Sequence, residues 1–225
     1  MLQAARQAGA GAWWCVGDLV GYGADPAHTM RLAMSEAERC IGGNHDLAAA
    51  GRVPLTTFAM TAREALEWTR ATLGRQGRSR LDRLNALDMD GDVPLFHGSP
   101  RDPVWEYVLE VGQARAALED RRVPLTIVGH THVPCAWRLT PDGAMEKHAA
   151  SPDAPIALTE GRWLVNPGAV GQPRDGDARA AWLLYDPDER TIHFRRTPYD
   201  VAGAQNAILQ AGLPTTLAHR LAEGR

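Results

Sequence analysis

The chain has 225 residues, with 24 Lys and Arg against 27 Asp and Glu, for a formal net charge of -3. That length can bury a substantial core, and no Pro/Ser-rich linker or charge block divides it, so one domain over residues 1–225 is expected. The acidic balance argues against a long nucleic-acid partner, and the lack of an 18-residue apolar run argues against a membrane-spanning helix.

In chain order, residues 2–8 set Leu2, Ala5 and Ala8 on one stripe ahead of Gly9, which reads as the tail of a helix ending at a glycine. A parallel α/β unit places a strand before such a helix, so a strand and part of a helix are expected upstream, on the order of 20–30 residues by the usual size of a βαβ unit. Residues 13–16, 40–41, 93–96 and 125–128 are short apolar runs that read as strands. Residues 56–73 predict a helix with Thr56 or Thr57 as cap, Leu81, Leu84 and Leu87 a second helix, and 114–122 a third. Beyond Val128 the pattern turns antiparallel, with strands expected at 135–139, 162–165, 180–185 and 191–195 between turns such as Pro141-Asp142-Gly143. Helices at 202–210 and 214–222 finish the chain. Parallel βα units followed by a meander predict an α/β fold of two facing mixed sheets with helices outside. Cys15, Cys40 and Cys135 lack metal-type spacing and read as free thiols of a reducing, cytoplasmic setting.

Each of the four early strands ends in a glycine-marked polar segment: Gly17-Asp18, Gly43-Asn44-His45-Asp46, His97-Gly98 and Gly129-His130-Thr131-His132. In an open α/β sheet the carboxyl ends of the strands are where ligands bind. A carboxylate, an amide oxygen and imidazoles converging there form a mixed N/O site for Mn²⁺, Fe or Zn²⁺, and a poor one for Ca²⁺. Such a site suits a metal-dependent hydrolase, with Asp18 as its carboxylate. His130 and His132, two apart, point to opposite faces of an ideal strand and converge only if the backbone bends after Gly129. His28, His148, His193 and His219 lack such context and are expected at the surface.

Together with Gly17-Asp18-Leu19-Val20-Gly21-Tyr22-Gly23, His97-Gly98-Ser99-Pro100 and the run from Asn166 to Arg174, these segments resemble in order the motifs of the calcineurin-like metallophosphoesterases, most of all the small bacterial phosphodiesterases. The resemblance implies a four-layer αββα sandwich, and a dinuclear centre, Mn²⁺ first among its ions, whose bound hydroxide attacks phosphorus in line. By the same resemblance Asp18, Asn44, His97 and His130 hold one metal, while His132 and Asp18 belong to the other. His45 is then the catalytic histidine, protonating the leaving oxygen, with Asp46 orienting its ring and raising its pKa. Arg174 and Asn44 are the expected substrate contacts, and Trp105 and Tyr107, close behind His97, are expected to pack their loop against the core, the alternative being an aromatic wall that stacks a base or aryl leaving group. The family's opening Asp-x-His motif does not precede Asp18. The expected substrate is a small phosphodiester or nucleotide-derived phosphate, and a homo-oligomer is compatible with the composition. The alternative is a catalytically weak phosphoesterase-like binding module, because the first metal is left with two protein ligands.

Overall fold

The computed structural model describes all residues from Met1 to Arg225. Helix α1 (Leu2–Gln7) ends where Gly9 takes φ +89°, as its glycine predicts. Strand β1 (Trp14–Val16) then pairs in parallel with β2 (Arg39–Ile41) through the crossover helix α2 (Pro26–Glu36). Asp25 starts α2 by accepting from the His28 N–H at 3.2 Å, and Pro26 fills the first turn, where its missing N–H costs nothing. Helix α3 (Asn44–Ala50) begins directly on the second polar segment and closes at Gly51 in the left-handed conformation. Helix α4 (Met60–Leu81) is broken at Gly74, whose φ of 58° and ψ of -166° are not helical. Neither Thr56 nor Thr57 caps it: they lie in a 3-10 turn, and the N-cap is Ala59. The second helix expected around Leu81, Leu84 and Leu87 is the far half of α4, ending at Leu81, while Leu87 opens strand β3 (Leu87–Asp88).

There follow β4 (Leu95–Phe96), α5 (Val111–Asp120), β5 (Leu125–Val128), β6 (Cys135–Leu139), β7 (Met145–His148), β8 (Ile156–Ala157), β9 (Arg162–Asn166), β10 (Ala180–Asp186) and β11 (Thr191–Thr197), then α6 (Val201–Gln210) and α7 (Thr215–Glu223). Six strands form one mixed sheet in the order β3-β4-β5-β9-β6-β7, parallel across β4, β5 and β9 and antiparallel at both ends. The α/β class with sheets flanked by helices is as expected, but this is the only mixed ladder. The facing layer consists of the parallel pair β1-β2 and the antiparallel sheet β10-β11-β8. No ladder joins β1 to β10; both strands line one channel of about 1640 Å³ that reaches Asp18 and His132, and Trp14 and Tyr185 meet across it at 6.3 Å.

Alternation along the central strands sorts the core. Leu95, Leu125, Ile127, Trp163 and Val165 face inward, toward Ile41 of β2 and Ile192 and Phe194 of β11. Phe96, Val128 and Leu164 face the other way, onto Ala114, Ala117 and Leu118 of α5. On the outer side of β1 and β2, Met30, Ala48, Leu66 and Leu81 bring in α2, α3 and α4. Leu95 and Leu66 are completely buried, and each such side chain stabilises the fold by about 2–3 kcal/mol relative to exposure. Helices α6 and α7 pack Ile208, Leu217 and Leu221 on Ala65 and Trp68 of α4 and on Tyr22. The result is helix, sheet, sheet, helix, with the carboxyl ends of β1, β2, β4 and β5 gathered at one edge.

Candidate metal centre

Each strand end delivers its polar residue by a local device. Asp18, His130 and His132 adopt φ of 56°, 63° and 59°, the left-handed region that costs an L-residue on the order of 1–3 kcal/mol. This is the bend the spacing of His130 and His132 demands, since two left-handed residues bracketing Thr131 turn both imidazoles to the same side. Glycine permits the loops to touch: a Cβ on Gly17, at φ +92°, would lie 2.6 Å from Gly43 N and 2.8 Å from His97 Nδ1. A Cβ on Gly43 would strike the Asp18 carboxylate. Asn166, fully buried, braces the loop after β5 by donating to Gly129 O at 2.5 Å and Thr131 Oγ1 at 2.9 Å while accepting from Gly168 N at 2.8 Å.

The donors converge on Asp18. His97 Nε2 lies 3.5 Å from Asp18 Oδ1, 3.1 Å from Asn44 Oδ1 and 3.1 Å from His130 Nδ1, and ligand atoms of Asp18, His97 and His130 all fall within 4.8 Å of one another. His132 Nε2 stands 3.5 Å from the other oxygen, Asp18 Oδ2. Two backbone carbonyls fix the tautomers: His97 Nδ1 donates to Val16 O and His132 Nδ1 to Gln172 O, each at 2.8 Å, so each Nε2 presents a bare lone pair. Lone pairs and oxygens facing one another in a buried space repel unless a cation lies between them. The residues present therefore fit a divalent metal, of the type that imidazole, carboxylate and amide oxygen share.

Burial works against the Asp18 charge, but positive charge carried by the imidazoles of His97, His45 and His132 outweighs it and holds the carboxyl well below its usual range; a cation among neutral imidazoles would act in the same sense. Burial, reinforced by His97, lowers His130 to about 3, which keeps it neutral and able to ligate.

His45, at the second turn position of α3, is buried, and desolvation lowers its pKa to about 4. Asp46 does not orient this ring, contrary to the expectation from sequence. Its carboxylate accepts from three backbone N–H groups, Gly43 at 2.8 Å, Leu19 at 3.1 Å and Val20 at 3.2 Å, while His45 Nδ1 has no partner. Asp46 thereby ties the loop after β1 to the start of α3. The His45 pKa is lowered, not raised, because burial dominates and no carboxylate touches the ring.

Arg174 is brought to the same place. It donates to Tyr22 Oη at 3.1 Å and to Gln172 Oε1 at 3.0 Å, and Tyr22 lies 4.1 Å from the His45 ring and 6.1 Å from that of His132. Burial, with help from Asp18, pushes the Tyr22 hydroxyl up to about 12, so it stays protonated. The parts played by Tyr22, Gln172 and Asn166 were not foreseen, although all three lie inside the motifs; the glycines beside Tyr22 and the Asn-Pro-Gly turn were the signals available. Trp105 and Tyr107 do not simply fill the core: Tyr107 stacks on His130 at 4.1 Å with planes 5° apart, and both stay more than a third exposed. His28 and His219 are exposed, whereas His148 is half-buried against Trp163 at 4.7 Å.

The profile of the Calcineurin-like phosphoesterase superfamily domain matches residues 1–189. An uncharacterized protein of Methanocaldococcus jannaschii is 31% identical over 220 residues, covering 94% of this chain and 86% of that one. The crystal structure of a metallophosphoesterase from Sphaerobacter thermophilus superposes with a TM-score of 0.87 at 36% identity, over 100% of this chain and 94% of its own. A hypothetical protein from Pyrococcus horikoshii shares the fold at a TM-score of 0.79 and 18% identity, over 100% and 90%. A buried carboxylate–imidazole centre at the strand ends, on this four-layer frame, is thus part of a phosphate-ester hydrolase, and the chain belongs to the calcineurin-like phosphoesterase superfamily.

Proposed function

We propose that residues 1–225 act as one domain that hydrolyses small phosphodiesters or nucleotide-derived phosphates at a dinuclear centre. The observation that carries this reading is the division of Asp18: Oδ1 faces His97 and Oδ2 faces His132, so one carboxylate serves two donor groups. Asn44, His97 and His130 would hold one ion with Asp18, and His132 the other with Asp18. Mn²⁺ suits the mixed N/O donors best, with Fe and Zn²⁺ next. When bound, such a pair lowers the pKa of water and neutralises charge on the phosphoryl oxygens.

The remaining chemistry falls to the chain's own groups. Arg174, held by Tyr22 and Gln172, is placed to grip a non-reacting phosphate oxygen, and its planar fork matches that geometry. His45 is neutral in its buried position, and an anionic phosphoryl group beside it favours the imidazolium, so the substrate itself prepares the acid that meets the leaving oxygen. No helix is long and apolar enough to cross a membrane, and three free cysteines support a reducing, cytoplasmic setting.

One observation favours a second reading, a binding module with little turnover: besides Asp18, only His132 addresses the second metal position. Metal stoichiometry in Mn²⁺, measured on the same sample as hydrolysis of bis(p-nitrophenyl) phosphate, separates the two. Two ions with turnover support the hydrolase at a dinuclear centre. One ion or none, without turnover, supports the module.

A further inference from the structure

The aromatic rings beside the centre form a connected path. Phe58 meets the His45 ring edge-on at 5.0 Å, and Trp105 meets Phe58 at 5.4 Å. Tyr107 covers His130 from the same loop as Trp105. These rings adjoin two buried imidazoles, yet Trp105 remains 37% and Tyr107 41% exposed. An exposed indole and phenol next to a buried polar centre leave apolar area that the fold itself does not cover.

The loop bearing them is rigid by construction. Gly98 N donates to Pro103 O at 2.7 Å, and Asp102 Oδ1 accepts from Val104 N at 3.1 Å and Trp105 N at 3.0 Å. Buried Ser99 receives Arg101 N and Asp102 N at 3.1 Å and donates to Glu106. A loop cross-braced in this way presents its aromatic faces in a fixed place at little entropic cost on binding. The rings thus reach both sides of the centre: Phe58 and Trp105 lead from His45, the residue assigned to the leaving oxygen, and Tyr107 lies on His130.

We propose that Phe58, Trp105 and Tyr107 form a leaving-group subsite that stacks a planar aromatic group, so that the favoured esters are those of nucleosides. The inference rests on the phosphoesterase reading above for the position of the phosphate. Phe58 spans the interval between acid and indole, where a sugar would lie, and Trp105 takes the base. Ring faces stack every base, so the subsite selects aromaticity and not base identity.

Calorimetric titration of the Mn²⁺-treated protein with adenosine 5′-monophosphate and with ribose 5-phosphate tests this. The nucleotide is expected to bind on the order of tenfold to a hundredfold tighter, the range that stacking one base provides. Trp105→Ala should bring the ratio near one, and Trp105→Phe should restore most of it, which a merely structural role would not do. A ratio near one in the unaltered protein, or one that Trp105→Ala leaves intact, overturns the subsite. Turnover of bis(p-nitrophenyl) phosphate with no such ratio would remove the subsite and keep the hydrolase. A Trp105-dependent ratio without turnover would keep the subsite and remove the hydrolase.

Discussion

Gly21 lies directly against His45: a Cβ at position 21 would sit 2.9 Å from both Cβ and Cγ of that histidine and closer still to its Nδ1. The loop after β1 thus has a glycine at φ +116° because the His45 ring occupies the space a side chain would need. Gly21→Ala should displace the ring first, since the three atoms nearest the new methyl all belong to His45. The expected result is a fall in kcat of at least about tenfold, within the range general acids contribute, with Mn²⁺ content unchanged. Loss of metal along with activity would show that the loop moves as a whole.

Asp46 offers a second separation of roles. Its three backbone donors are buried, and Asp46→Asn replaces an acceptor oxygen by an amide that faces those N–H groups with hydrogens of its own. A loss of about 2–4 kcal/mol in unfolding free energy is expected, together with weaker Mn²⁺ binding as the loop carrying Asp18 loosens. A variant of normal stability whose kcat alone shifts along the pH axis would restore Asp46 to the role of orienting His45.

How much of this was legible depends on where the signal resides. The strands before Asp18, Asn44, His97 and His130 were readable because a short apolar run followed by Gly and a polar residue is a local pattern. The helix expected to stop at Leu73 does lose its helical geometry there, at Gly74, but stacking of Gly77 and Leu81 on the core carries the element onward. Strand β7 was missed because Met145, Glu146, Lys147 and His148 show no alternation; their pairing with β6 is what makes them a strand. Helices α2 and α3 were not among the expected elements, although Asp25 before Pro26 is a helix start and Gly43 precedes the first turn of α3. Within the site the metal donors could be named from the motifs. The partners of Asp46 could not, because Leu19 and Val20 offer only backbone, which no side-chain pattern reveals.

Asn166 tests the idea that left-handed strain at His130 and His132 is held by neighbours. It makes three hydrogen bonds, two buried ones to the Gly129–Thr131 turn and a partly buried one from Gly168 N. Asn166→Ala should let that turn relax toward ordinary backbone, moving both imidazoles out of register. Mn²⁺ affinity is expected to fall by about 10–100-fold, the usual effect of losing a group that orients ligands, with smaller changes in secondary structure by circular dichroism. Unchanged affinity would mean that the two histidines are held by other contacts, such as the Gln172 carbonyl.

Acid should unfold the metal-free protein through its buried histidines. The ordinary pKa of 6.5 falls to about 4 for His45 and about 3 for His130, so between those values and 6.5 the unfolded chain binds protons that the folded one refuses. Stability therefore rises with pH in that window: the histidine contribution is fully present above 6.5 and is lost as pH falls toward 4. At about 1.36 kcal/mol per pH unit, the drop from 6.5 to about 4 at His45 corresponds to roughly 3 kcal/mol, and His130 acts in the same direction. Urea unfolding in EDTA at pH 7, 6, 5 and 4.5 should show a midpoint that falls steadily, with a shallower fall in His45→Phe, which has no proton to gain. Among the carboxylates, Asp46, pushed well up by burial, acts in the opposite direction, since its folded form holds a proton that the unfolded chain gives up, so the net slope is the histidine contribution less this one. Asp18, with its pKa lowered, destabilises the fold only once pH falls through the usual Asp value near 3.8. A flat profile from pH 7 to 4.5 that His45→Phe leaves unaltered would mean that the two imidazoles reach water in the folded protein, and the neutral-histidine basis for ligation and for substrate-induced protonation would have to be abandoned.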